Sequence, residues 1–177
     1  MKKTILIFAA ILIMVGLTTK TFSQTNTVSN ASASAKIVET LVLTETTQLN
    51  FGTMSRPVGA VNVVVSTTGV RSTSGAGTIT LLTQAPTAQN AEFHVVGSPT
   101  STYEILLPND GVVTISNGTD DIHVNGFNAL TSMGAGINGT LNSSGLDDFK
   151  VGATLVLIDN QAPGSYVGSY EVTVNYN

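Results

Sequence analysis

Apolar and polar residues alternate with a period of two along much of this chain, most plainly over its last fourteen residues, 164–177. There Tyr166, Tyr170, Val172, Val174 and Tyr176 share one parity, and Ser169, Glu171, Thr173 and Asn175 share the other. Successive side chains of a β-strand point to opposite faces, so this spacing predicts a half-buried strand that opens at Gly164 and completes a sheet. Full burial of five such side chains, at about 1.5–3 kcal/mol each, is worth on the order of 10 kcal/mol, which is comparable to the whole stability of a domain. Gly164 and these five apolar residues are therefore expected to form a closing or assembly strand on which the rest of the fold depends.

The same alternation recurs upstream. Ala31, Ala33, Ala35, Ile37, Leu41 and Leu43 share a parity against Ser32, Ser34, Lys36 and Thr40, which predicts a long strand whose first half packs only small side chains. Glu39 interrupts its apolar face and marks a bend or an edge. Residues 49–54 place an apolar pair around Gly52, which suits a bulge or a sharp corner. Further strands are predicted over 61–66, 78–82, 91–96, 103–107, 112–116, 122–127 and 149–158, with a short one near 137–141. Residues 72–77 read as a Gly/Ser-rich loop, and Asn109-Asp110-Gly111 and Asn117-Gly118 read as tight turns. Apolar residues do not recur at helical spacing for more than about two turns beyond the first 23 residues. Eight to ten short strands with frequent turns predict an all-β protein, an antiparallel immunoglobulin-like β-sandwich.

The first 23 residues belong to a different class. Lys2 and Lys3 precede an apolar run over 4–17, and Thr21, Phe22 and Ser23 resemble a small-residue cleavage site, the pattern of a secretory signal peptide. The run falls short of the roughly 20 apolar residues that a membrane helix needs. The expected organisation is a signal peptide over 1–23, a flexible leader over 24–32 and a single β-sandwich domain over 33–177. The chain has no cysteine, so packing without disulfides must hold the exported protein together. Losing Lys2, Lys3 and Lys20 with the signal takes the net charge from −4 to −7. The remaining bases, Lys36, Arg56, Arg71 and Lys150, are scattered, which argues against nucleic acid or an anionic membrane as partner, because both need a clustered positive patch.

Candidate chemistry is sparse. His94 and His123 are the only histidines, and each falls within a predicted strand without a second His or a Cys at ligand spacing. Asp120-Asp121 and Asp147-Asp148 are the adjacent acidic pairs; they are expected as solvated turn residues, since no calcium-loop pattern surrounds them. No G-x-S-x-G elbow or S-x-x-K pairing activates a serine, so no catalytic, cofactor-binding or metal residues are assigned and no enzyme activity is expected. The absence of Trp removes the commonest sugar-binding platform, although a carbohydrate-binding or adhesin module remains the alternative reading.

Several segments together carry a resemblance. Residues 33–39, Leu49 to Thr53 around Phe51-Gly52, Phe93 to Gly97, Tyr103 to Pro108, Phe149 to Leu155 and the closing stretch from Gly164 to Tyr176 resemble, in order and spacing, the bacterial domain-of-unknown-function 4402 family. Thr40 departs from it, since such sequences often carry a proline there. The resemblance implies secretion and a β-sandwich, and carries no activity with it. The Phe51-Gly52 corner, Gly164 fourteen residues from the end and the penultimate Tyr176 are also similar to chaperone-usher pilins of the spore-coat-U-like group, from which the chain departs in lacking cysteine. That similarity implies a pilin-like fibre subunit. The expected function is thus a secreted, non-catalytic structural or interaction protein, in the periplasm, at the cell surface or outside the cell, whose partners are copies of itself or other surface proteins.

Overall fold

The computed structural model describes residues 29–177. The expected signal and the first part of the leader lie outside the described residues. Residues 37–177 form one compact unit of antiparallel strands, with no α-helix among the described residues. No helix there is long and apolar enough to cross a membrane. The strands are β1 (Val42–Thr47), β2 (Val61–Val65), β3 (Arg71–Ser74), β4 (Ala91–Val96), β5 (Thr102–Leu106), β6 (Val113–Ser116), β7 (Asp121–Thr131), β8 (Gly134–Ala135), β9 (Asn138–Thr140), β10 (Leu146–Leu157) and β11 (Thr173–Tyr176). They form an all-β sandwich of an eight-stranded and a three-stranded sheet, the smaller in the order β11-β5-β9.

Strand β10 is the spine of the larger sheet. Its first half, Leu146 to Val151, pairs with β4, and its second half, Ala153 to Leu157, pairs with β2. Along Lys150 to Val156 it also pairs with β7. Strand β1 extends the sheet beyond β4, β3 extends it beyond β2, and β6 and β8 flank β7. Gly152 marks the point where β10 changes partners. A Cβ there would lie 2.5 Å from the Val65 carbonyl oxygen and 2.8 Å from Ser66 C and Thr67 N, so only glycine lets the chain following β2 come this close.

Residues of odd number on β10 face the core, and they serve two clusters in succession. Phe149 and Val151 join Phe93, Val95, Tyr103, Ile105 and Leu141, whereas Ala153, Leu155 and Leu157 join Val61, Val63, Val113, Ile122 and Val124. Phe93 and Phe149 are directly paired across the strands and stack with ring centroids 5.0 Å apart. Such aromatic cross-strand pairs stabilise a sheet beyond the area they bury.

The strands expected over 61–66, 91–96, 103–107, 112–116 and 149–158 are present within a residue or a few of their predicted ends. Four expectations are corrected. The first is the long strand over 31–43: residues 31–40 carry no strand and are exposed, Ile37 at 95%, and the ladder begins only at Val42. Alanine methyls bury too little apolar area to hold a strand against the entropy of fixing it. Second, residues 78–82 contribute only isolated bridges, from Thr78 to Val58 and from Leu81 to Met54. Third, the loop expected over 72–77 begins as β3, an all-polar edge strand paired with β2. Fourth, the closing stretch is a ladder only over Thr173–Tyr176.

The Asn50-Phe51-Gly52 segment is the sharp corner anticipated. Gly52 has φ +74°, and its N–H donates to Asn50 Oδ1 at 2.7 Å. The Arg71 guanidinium holds the corner by donating to the carbonyls of Phe51, Thr53 and Leu82 at 3.0, 2.9 and 2.6 Å. One of the few basic side chains is thereby committed to backbone carbonyls.

Candidate functional site

The closing stretch spans the interface between the sheets. Tyr166, Tyr170, Val172, Val174 and Tyr176 are half-buried, and the residues between Tyr170 and Asn177 on the other parity are exposed. Inward alternation therefore persists where ladder pairing does not. Tyr166 packs on the second core cluster, Tyr170 on both, and Val172, Val174 and Tyr176 on the first. Val167 bridges to Ser116 at the end of β6, with Gly168 against the Thr114 carbonyl, where a Cβ would lie 2.6 Å away. The chain then crosses to β5, pairing Thr173 with Leu106 and Tyr176 with Tyr103. Gly164, at the start, is exposed and lies against Asn117.

Tyr176 ties this strand to two other parts of the molecule. Its hydroxyl accepts from the Ser98 N–H at 2.7 Å and donates to the Glu39 carbonyl at 2.8 Å. Ser98 Oγ in turn accepts from the Glu39 N–H at 2.6 Å. The Tyr176 hydroxyl also lies against Gly97, where a Cβ would collide with it. Glu39 is thus fixed through both of its backbone groups, although it lies in no strand. Tyr170 differs. It packs against Phe127 with centroids 5.0 Å apart, its hydroxyl is buried without a partner among the described residues, and burial, then the Glu45 charge, pushes the phenol pKa above its usual range.

A second constellation lies where β4 and β10 meet. Asp147 and Asp148, expected in a turn, are strand residues of β10, with Asp148 directly opposite His94. His94 Nδ1 and Asp148 Oδ1 are 2.6 Å apart, and both side chains reach solvent. Asp147 occupies the inward parity and is 8% exposed. Its Oδ2 accepts from the hydroxyls of Tyr103 at 2.8 Å and Ser132 at 2.9 Å, and its Oδ1 accepts from the Asp148 N–H at 3.0 Å. Burial, then the hydrogen bond to Asp147, raises the Tyr103 phenol pKa above its usual range, so it stays a neutral donor. A depression of about 490 Å³ opens over this group, lined by His94, Ser132, Asn142, Leu146 and the two aspartates among others.

His123 is exposed on β7, Asp120 lies in the turn before it and Asp121 is its first residue. Sequence reasoning missed the Tyr103–Asp147–Ser132 network. A signal for it exists: Asp147 has the same parity as Phe149, Val151 and Ala153, so it is a carboxylate in a core position, which must find donors.

No three His, Cys, Asp or Glu side chains converge as metal ligands among the described residues. The hydroxyl–carboxylate contacts orient side chains, and Ser132 donates to a carboxylate with no imidazole beside it in the bond. Among curated proteins no relative matches the chain, and no solved structure matches it. Over residues 41–176, however, which run from the approach to β1 to the end of β11, the chain matches the family described as Domain of unknown function (DUF4402), and it belongs to that family.

Proposed function

We propose that the chain is a secreted, non-catalytic structural protein of the bacterial cell surface that serves as a pilin-like fibre subunit. The observation that supports this reading most is how its polar and aromatic groups are used. Arg71 clamps three carbonyls, Tyr176 joins the closing strand to Ser98 and Glu39, and Tyr103 and Ser132 satisfy a buried carboxylate. These groups stabilise the sandwich and leave a robust building block. The signal-like residues 1–23 agree with export. The test is to label this protein on its native cells and image the surface. Ordered, labelled fibres are the expected result, and label confined to the cell interior contradicts the proposal.

A second reading, a carbohydrate-binding module, draws support from the depression over His94 and Asp148, which offers fixed polar groups to solvent.

A further inference from the structure

We infer that the depression beside β4 and β10 binds a neutral saccharide through its hydroxyls, held by Asp148 and Asn142. This inference rests on the carbohydrate-binding reading and is independent of fibre assembly. Three features of the depression carry it.

The first is a fixed donor and a fixed acceptor on the lining of one depression. Asn142 Oδ1 accepts from the N–H groups of Ser144 at 2.8 Å and Leu146 at 3.1 Å, which locks the amide plane and assigns its orientation. Its Nδ2 has no hydrogen-bond partner among the described residues, so two N–H donors remain for a ligand. Asp148 is held through Oδ1 by His94 Nδ1, which leaves Oδ2 as an open acceptor on a side chain that is 79% exposed. A sugar hydroxyl donates and accepts at once, so the hydroxyls of a saccharide suit an amide donor and a carboxylate acceptor that line one depression. Because both side chains are already ordered, little rotamer entropy is lost on binding.

The second feature is charge. Among the described residues no Lys or Arg lines the depression, and Asp147, which does, is a buried carboxylate held by neutral donors. Phosphates, sulfates and acidic sugars are therefore repelled. The third is the partly apolar floor. Leu146 is 36% exposed and the partly exposed His94 side chain also lines the depression, which gives the C–H groups of a pyranose apolar surface to rest on. With no larger aromatic ring present, binding is weak, with a dissociation constant of about 1 mM.

The experiment is a titration of the ¹⁵N-labelled chain with a panel of neutral methyl glycosides, followed by amide chemical shifts, with ethylammonium as a cationic control. The expected result is saturable shifts at the Asn142 side-chain amide and at Leu146 and Asp148, weakened at least tenfold by Asp148→Ala. Because Asp148 is exposed, that variant is expected to keep the wild-type spectrum elsewhere. Shifts that saturate at another surface and survive Asp148→Ala would overturn this site while leaving the carbohydrate-binding reading standing. No shift with any glycoside up to about 100 mM would overturn both. Saturation by ethylammonium alone would show that the site takes cations and would overturn the hydroxyl assignment.

Discussion

Two tyrosines of the closing stretch use the same hydroxyl in opposite ways. Tyr176 accepts one backbone hydrogen bond and donates another, whereas the Tyr170 hydroxyl is buried with none. Removing a bonded hydroxyl strands its partners, while removing an unbonded buried one relieves a desolvation cost. Tyr176→Phe is accordingly expected to lower stability by about 1–2 kcal/mol, and Tyr170→Phe to leave it unchanged or raise it by about 1 kcal/mol. Chemical unfolding of both variants checks the contrast; equal losses would refute it. The buried phenols also set an alkaline limit. Tyr103 and Tyr170 both have pKa values raised by burial, so they keep their protons in the folded state after the unfolded chain has lost them. Their stabilising effect is complete below the unfolded value of about 10 and is lost as pH rises above it. Stability should fall above that pH by about 1.4 kcal/mol per pH unit for each phenol, and Tyr103→Phe should remove one such share of the slope. Unfolding curves between about pH 9 and 11.5 measure it; an unchanged slope in Tyr103→Phe would contradict the assignment.

Among the elements, period-two alternation reveals a strand only where the inward residues are large enough to bury substantial area. It located β2, β4, β5 and β10, whose inward positions hold Val, Phe, Tyr, Ile and Leu. It misled over residues 31–41, where the inward positions are mostly alanine, and it was silent for β3, whose four residues are Arg, Ser and Thr. An edge strand like β3 needs no apolar face, because backbone pairing with β2 and the Arg71 clamp hold it. In the closing stretch the alternation correctly marked which side chains face inward but overstated the ladder, since residues before Thr173 pass from β6 to β5 without continuous pairing. The candidate site was least legible. His94 and Asp148 are 54 residues apart in sequence, and only the register of β4 against β10 brings them together. The exposed leader and the packed closing stretch predict unequal effects of truncation. Deleting residues 24–36 is expected to shift the melting temperature by less than about 2 °C, whereas deleting residues 170–177 should abolish cooperative folding, because it uncovers Phe127 and removes four side chains packed against the first core cluster. A cooperative transition in the second deletion would show that the closing stretch is dispensable.

For the molecule as a whole, the C-terminal strand is supplied in cis. Strand β11 lies on β5 of its own chain, and the five inward residues of its stretch cover both core clusters. These residues are half-buried, so their contribution falls below the 10 kcal/mol or so of full burial, yet it remains a large part of a typical domain's stability. A chain closed in this way folds without a neighbour, and any fibre it forms joins finished subunits. A chain that needed a partner's strand would instead gain stability with concentration, because association favours the folded state by mass action. The most direct test is equilibrium unfolding of the chain without residues 1–23 at two protein concentrations about a hundredfold apart, with light scattering to report mass. The account predicts a monomer with one transition whose midpoint is the same at both concentrations. A midpoint that climbs with concentration, or a chain that folds only when a strand peptide is added in trans, would contradict it.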